Sequence, residues 1–307
     1  MKILLVLPRD RIDAWRTALA AALPEATIAP WPEASPDPDY ALVWKPPHEM
    51  FARVRPRKAI FNIGAGANAL LEVPGLPADI PVIRLEDAGM ALQMAEYVTL
   101  AVLRTYREAD AYAAQQRRGH WQPRPRIAKN AFGVGILGFG VLGQAVAAAL
   151  APFGFPLAGW SRERKAVPGV TSFSGRTELS AFLARSNLLI CLLPVTPDTR
   201  GLLDRANLAK LPAGAHLVNI ARGEIVVDED LVALLDAGHL AGATLDVFHE
   251  EPLPSGHPFW HHPLITLTPH NSAVTLVDES IAQIVTKIRQ LERGKRVTGV
   301  VDPARGY

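Results

Sequence analysis

Residues 132–153 leave this chain few folds to choose from. A short apolar run, Phe132 to Leu137, leads into Gly138-x-Gly140-x-x-Gly143, and an alanine-rich stretch follows as far as Pro152 and Phe153. A strand that ends in a glycine turn and reopens as a helix is the first half of a parallel βαβ unit. Each glycine has its own task there. Gly138 permits the tight turn, Gly140 lets a pyrophosphate approach the backbone, and Gly143 lets the helix pack close to the strand. The start of the helix offers unpaired N–H groups and the positive end of its dipole to phosphate.

The next predicted strand, 156–160, sharpens that reading. It ends in Ser161-Arg162-Glu163-Arg164-Lys165, and Ser161 lies 161 − 138 = 23 residues after Gly138. An NAD site usually carries Asp or Glu there, about 20 residues on, for the ribose 2′-OH. A serine backed by cations welcomes a 2′-phosphate instead. The expected cofactor is therefore NADP(H), with NAD(H) as the second possibility. The plainer alternative for these cations is a solvated basic turn.

At 307 residues the chain has length for about two domains. Its 49% apolar and 20% charged residues are ordinary for a soluble globular protein. A net charge of +2 is too small to argue for nucleic acid or a membrane surface as partner. Cys191 is the single cysteine, so no disulfide framework can form, and its apolar neighbours suggest a core position. The run from Met1 to Leu7 stops at Pro8 and reads as a buried strand rather than a signal peptide. No apolar run approaches ~18 residues, the length that suggests a membrane span. The cytoplasm is the expected compartment.

Short apolar strands alternate with helical stretches, which predicts an α/β protein with two doubly wound parallel-sheet domains. Strands are expected near 2–7, 41–44, 59–62 and 81–84, then near 132–137, 156–160, 188–193, 216–220, 243–247 and 264–268. Helices are expected over 13–23, 92–116, 141–153 and 278–293, the last with Ile281, Ile284, Val285, Ile288 and Leu291 on one face. Segment 24–39 holds five prolines and reads as a rigid loop. The dinucleotide unit is expected over 97–274, inserted into a flavodoxin-like domain made of 1–96 and 275–307. A ligand is expected in the cleft between them.

Three residues beyond the glycines could carry chemistry, each at the carboxyl end of a predicted strand, where open α/β sheets bind ligands. Arg222 lies in Leu217-Val-Asn-Ile-Ala-Arg-Gly-Glu224, Glu251 in Leu245-Asp-Val-Phe-His-Glu-Glu-Pro252, and His270 in Ile265-Thr-Leu-Thr-Pro-His-Asn-Ser272. Together they suit reduction of a carbonyl. Arg222 would grip a substrate carboxylate and polarise the carbonyl. His270 would give a proton to its oxygen, and Glu251 would favour the charged imidazole. Taken singly, each has an ordinary reading as a surface ion-pair partner or a structural side chain. Glu250 competes with Glu251 for the acid role.

With these words the chain resembles the D-isomer-specific 2-hydroxyacid dehydrogenases, and within them the bacterial glyoxylate/hydroxypyruvate reductase A group. The resemblance runs through Tyr40-Ala-Leu-Val-Trp-Lys-Pro-Pro47, Gly64-Ala-Gly-Ala-Asn68, Arg84-Leu-Glu-Asp-Ala-Gly-Met90, His120-Trp-Gln-Pro123, Leu193-Pro-Val-Thr-Pro197, Asn219-Ile-Ala-Arg-Gly223, Thr268-Pro-His270 and the terminal Val301–Tyr307. It implies an NADPH-preferring reductase of small 2-oxo acids, with Arg222, Glu251 and His270 as the catalytic set and no metal.

The resemblance also implies cofactor contacts at Gly138, Phe139, Gly140, Val141, Leu142 and Gly143, at Ser161, Arg162 and Lys165, and at Leu193, Pro194 and Thr196 on the adenosine side. Ile220, Ala221 and Asp246 would lie near the nicotinamide. Trp44 would wall the substrate pocket, and the Gly64, Ala65 and Gly66 loop would turn backbone N–H groups toward the substrate carboxylate. A homodimer through the cofactor domains is implied too, with Trp121 reaching toward the partner. Asn68, Asn271 and Lys45 depart from the family's usual residues. Lys45 would favour a second negative charge on the substrate. The rival reading is an NAD(P)-sensing regulatory or scaffold protein that keeps the fold without significant turnover.

Overall fold

Two parallel sheets, each flanked by helices, organise the chain in a computed structural model. It describes residues 1–33, 36–64 and 66–302, with the side chain of Asn68 excepted. The chain divides into two units, Met1–Met90 with Thr275–Tyr307, and Ala91–Val274.

The first unit alternates strand and helix: β1 (Lys2–Val6), α1 (Arg9–Ala22), β2 (Thr27–Pro30), β3 (Tyr40–Val43), α2 (Met50–Arg53), β4 (Ala59–Asn62), α3 (Asn68–Leu71) and β5 (Val82–Arg84). The strands lie in the order β2-β1-β3-β4-β5, all parallel. Strands β3 and β4 are buried at every position, as a sheet covered on both faces requires. One cover is α1 together with a helix from the end of the chain, Val277–Glu292. Trp15 and Leu19 cluster there with Ile281, Ile284, Val285 and Ile288. The other is α2 and α3, which set Met50, Phe51 and Leu70 against Leu4, Val6 and Ile60. The one buried cation of the terminal helix, Lys287, is satisfied by Glu86 at 3.0 Å and by the carbonyls of Arg84 and Thr298.

In the second unit α4 (Met90–Tyr106) and α5 (Ala109–Arg117) precede β6 (Val134–Leu137), α6 (Val141–Leu150), β7 (Leu157–Ser161), β8 (Val170–Ser174), α7 (Gly175–Leu183), β9 (Leu188–Cys191), α8 (Arg205–Leu208), β10 (Ala215–Asn219), α9 (Asp228–Asp236), β11 (Leu240–Leu245) and β12 (Ile265–Leu267). The seven strands run β12-β11-β10-β9-β6-β7-β8, all parallel. The order reverses between β6 and β9, so the glycine turn after β6 lies at a topological switch point. Val98 and Val102 of α4 and Val146 and Leu150 of α6 close one face. Phe182, Leu208 and Leu235 of α7, α8 and α9 close the other. The terminal helix, Val277–Glu292, is α10.

Three local expectations are corrected. The proline-rich segment 24–39 is not all loop, because Thr27–Pro30 pairs with β1. β2 is an edge strand, and an edge tolerates a residue that lacks a donor. Residues 170–174, read as no element, form edge strand β8 beside β7. The single helix expected over 92–116 is two. Glu108 takes a left-handed φ of 53° between α4 and α5. The break is held from both sides, by Arg104 on Asp110 and by Glu108 on Arg124 at 2.6 Å.

Cys191 ends β9 with no exposed surface. Burial pushes its thiol pKa up to about 12, so almost no thiolate forms at neutral pH. A thiol reagent is expected to leave the native protein unlabelled and to modify one site per chain in denaturant. Labelling of the native protein on the same time scale would contradict this placement.

Candidate active site

Two of the three fingerprint glycines are required by packing, and the third is not. Gly138 has φ +108°, and a Cβ there would meet the Leu192 backbone at 2.7 Å. A Cβ on Gly143 would strike the carbonyl oxygen of Gly138, so α6 could not lie this close to β6. A Cβ on Gly140 would meet nothing within 4 Å. Internal packing therefore leaves Gly140 unexplained, while an open approach to its backbone fits a phosphate. No side chain caps α6, so its first N–H groups stay available. Val141 is exposed at this helix start and Leu142 partly so.

Phe139 behaves differently from its neighbours. Its ring is fully buried against the position of Gly159, and its N–H donates to Trp160 at 2.9 Å. Phe139, expected among the cofactor contacts, has no exposed surface, and its ring belongs to the core. Leu193, Ile220 and Ala221 are buried too, while Pro194 and Thr196 keep part of their surface. Thr199 shapes that loop: its hydroxyl donates to the Pro194 carbonyl at 2.6 Å and accepts from the Thr196 N–H at 2.8 Å.

The basic turn after β7 commits part of its charge to structure. Arg164 is taken by Glu178 and the Ser172 carbonyl. The Ser161 hydroxyl donates to the Glu163 carbonyl at 2.7 Å. Arg162 is exposed, and Lys165 is half-buried with no ion pair among the described residues.

Glu251 and His270 meet. The carboxylate Oε2 lies 2.7 Å from His270 Nδ1, and its Oε1 accepts the Phe248 N–H at 3.0 Å. Glu250, the competing acid, is exposed and makes no bond to the imidazole. With Nδ1 held, Nε2 is the ring atom left to face a ligand.

His270 has φ +52°, a left-handed backbone that few residues adopt. Asp246 holds it there. This fully buried carboxylate accepts the Thr268 hydroxyl at 2.5 Å and the Asn271 N–H at 2.9 Å on one oxygen, and the Ser272 N–H at 2.8 Å on the other. The Thr268 proton is spent on Asp246, so the Tyr97 hydroxyl 2.6 Å away donates to Thr268. Asp246, expected beside the nicotinamide, thus spends both oxygens on the segment that carries His270.

Arg222 follows β10 in a turn clamped by a buried amide. Asn219 donates to the Arg222 carbonyl at 2.9 Å and accepts the Ala221 N–H at 3.1 Å. Gly223 lets this turn touch the loop bearing Glu251, because a Cβ there would collide with the Phe248 and His249 backbone. That loop is tied to α9 by His249 and His257, each 3.5 Å from Asp228. The Arg222 guanidinium is partly buried, bonds the Ala221 carbonyl at 2.5 Å and has no ion pair among the described residues. Burial lowers its pKa, and the fields of Glu224 and Glu251 oppose that shift. A desolvated cation that makes no ion pair is costly unless a ligand supplies a partner.

In the first unit, Trp44 follows β3 and stands 3.6 Å from where a Cβ on Gly64 would be. The buried Asn62 donates to the carbonyls of Gly64 at 2.7 Å and Gly66 at 3.1 Å. One amide thus engages both carbonyls. Ala65 and the Asn68 side chain lie outside the described residues. Lys45 is exposed with φ +49°, and Asn271 is exposed beyond its backbone bond. Asn219 lies in one of the quoted sequence words and Asn62 at the end of the strand expected near 59–62, and neither is marked there as a clamp. A buried Asn at the last residue of an apolar strand was the available signal.

Comparison with known proteins agrees over the whole chain. Residues 99–272 match the family model described as D-isomer specific 2-hydroxyacid dehydrogenase, NAD binding domain. The chain is 48% identical over 313 aligned residues, covering all of both proteins, to the glyoxylate/hydroxypyruvate reductase A of Yersinia enterocolitica. Two solved structures are similar along their length. A D-isomer specific 2-hydroxyacid dehydrogenase from Xanthobacter autotrophicus, in complex with NADPH and MES, has a TM-score of 0.94 and 42% identity, covering 100% of this chain and 99% of that one. An NADPH-dependent glyoxylate/hydroxypyruvate reductase from Sinorhizobium meliloti, in complex with NADP and sulfate, has a TM-score of 0.93 and 35% identity with the same coverage.

Proposed function

This chain belongs to the D-isomer specific 2-hydroxyacid dehydrogenases, and from that membership we propose that it is an NADPH-preferring reductase of small 2-oxo acids. Glyoxylate would give glycolate, and hydroxypyruvate would give D-glycerate. The observation that carries the proposal is the pairing of Glu251 with His270 beside a partly buried Arg222 that makes no ion pair among the described residues. The names of its full-length relatives support the same substrates and cofactor.

The dihydronicotinamide, when bound, supplies the hydride. Arg222 takes the substrate carboxylate in its planar fork and polarises the adjacent carbonyl, with little solvent to screen it. His270 delivers a proton from Nε2 to the carbonyl oxygen. Glu251, on Nδ1, fixes the ring's orientation and leaves Nε2 toward the substrate. Asp246 and Asn219 touch neither substrate nor proton, and act by positioning His270 and Arg222. Trp44 and the N–H groups of the Gly64–Gly66 loop are assigned to the substrate, Trp44 limiting its size.

Gly138, Gly140 and Gly143, with Val141 and Leu142, are assigned to the pyrophosphate. Ser161, Arg162 and Lys165 are assigned to the 2′-phosphate, and Leu193, Pro194 and Thr196 to the adenosine side. Ile220 and Ala221 are assigned to the nicotinamide. Gly140 supplies a test independent of folding. Its φ of −82° and ψ of −156° suit alanine, and no atom stands in the way. Gly140→Ala is expected to keep the melting temperature within about 2 °C, on the order of 0.5 kcal/mol or less. It should raise the KM for NADPH about tenfold or more. An unchanged KM would remove Gly140 from the phosphate site.

A homodimer through the second unit, in a cytoplasmic setting, completes the proposal. Exposed apolar residues support it: Trp121 is 95% exposed, Leu92 68% and Leu100 67%. No described helix is long and apolar enough to cross a membrane. The function is tested by kcat/KM values for glyoxylate, hydroxypyruvate, pyruvate and 2-oxoglutarate with NADPH and with NADH. Glyoxylate and hydroxypyruvate with NADPH should rank first. A strong preference for NADH would defeat the cofactor assignment.

A further inference from the structure

At the carboxyl edge of the first unit's sheet, a cation lies on an indole and makes no ion pair among the described residues. The Arg11 guanidinium carbon is 4.4 Å from the centroid of the Trp44 ring. Arg11 belongs to the first turn of α1, just after β1, and Trp44 directly follows β3. The strand order β2-β1-β3-β4-β5 makes β1 and β3 the pair between which the winding reverses. Open α/β sheets take ligands in the crevice at the carboxyl ends of such a pair. Arg11 and Trp44 therefore approach that crevice from its two sides. The indole's Nε1 edge stands against Gly64 of the loop assigned to the substrate carboxylate, 3.6 Å from a Cβ placed there.

Stacking occupies the flat face of a guanidinium and leaves its N–H groups pointing outward in the ring's plane. Asp13 is engaged by Arg16 at 2.8 Å, and Arg11 has no ion pair among the described residues. Lys45, next to Trp44, adds a second positive charge to the same edge. Its side chain is exposed, whereas Arg11 is half-buried. Arg11 is therefore the more desolvated and better oriented of the two.

We propose that Arg11, held on the face of Trp44, is a specificity-determining residue that binds a second anionic group on the substrate. The chain would then also reduce 2-oxo acids whose far end carries a carboxylate or a phosphate. The proposal rests on the reading above that Trp44 and the Gly64 loop contact substrate. The reaction is otherwise the same: hydride to the carbonyl carbon, proton to its oxygen.

The test compares kcat/KM for glyoxylate, oxaloacetate and 3-phosphohydroxypyruvate at saturating NADPH, in the wild type, R11Q and R11K. The wild type is expected to reduce at least one doubly charged substrate, with a KM that rises as salt is added. Which of the two it prefers identifies the distal group as carboxylate or phosphate. In R11Q the ratio of doubly charged substrate to glyoxylate should fall about tenfold or more, the scale of a charge-assisted hydrogen bond. R11K, which keeps the charge but not the fork, should fall less. A ratio that stays constant in both variants overturns the proposal, because a merely structural Arg11 would affect all three substrates alike. So does a wild type that reduces glyoxylate and neither doubly charged acid. A wild type inactive on glyoxylate defeats instead the reading on which this one rests.

Discussion

Replacing His270 with asparagine is expected to lower kcat/KM for glyoxylate by about 10²–10⁴-fold, the usual contribution of a positioned general acid. Asparagine is chosen because of the backbone. His270 has φ +52°, and asparagine is among the few residues that enter this region readily. The three bonds that Asp246 makes to this segment come from Thr268 and from the N–H groups of Asn271 and Ser272. None of them uses the imidazole. His270→Asn should therefore fold, melt close to the wild type and bind NADPH with unchanged affinity. Steady-state kinetics with circular dichroism and a dinucleotide titration check all three. Activity within about threefold of the wild type would remove His270 from the proton-transfer role.

Arg222→Met has a similarly large expected effect on activity and an opposite one on stability. The lost guanidinium both grips the carboxylate and polarises the carbonyl, so kcat/KM should fall by about 10³-fold or more. The same guanidinium is partly buried and has no ion pair among the described residues, and burial lowers its pKa. An apolar side chain of similar length removes that desolvation cost and keeps the packing of the stem. The melting temperature of Arg222→Met should be equal to or above that of the wild type. A marked drop in melting temperature would show that Arg222 holds the protein together rather than waiting for a ligand. Unimpaired turnover would remove it from the site altogether.

What could be read from the residues follows from how local the controlling interactions are. Buried strands such as β3, β4 and β9 declare themselves as apolar runs because both faces of a parallel sheet are covered. Edge strands β2 and β8 carry proline, serine and threonine, and their pairing with β1 and β7 is what makes them strands. The break at Glu108 has no glycine or proline to announce it, and it depends on Arg104 and Arg124 finding acids across the turn.

Site residues follow the same division. Arg222, Glu251 and His270 stand out as reactive types after predicted strands, and their words carry the family resemblance. Phe139 sits inside the glycine fingerprint, yet its ring turns into the core, a choice made by the space that Gly159 leaves. Asn62, Asn219 and Asp246 act through bonds to backbone atoms brought near by the turns they close. No spacing rule predicts those bonds, because the turn and its clamp form together.

The central claim is turnover, and one measurement tests it most directly. Wild-type protein is mixed with NADPH and glyoxylate, and the absorbance of the reduced nicotinamide is followed while glycolate is quantified. The account predicts catalytic oxidation of NADPH with one glycolate formed for each NADPH consumed. Tight NADPH binding with no glycolate from glyoxylate, and no hydroxy acid from any small 2-oxo acid, would contradict it and favour a dinucleotide sensor built on the same fold.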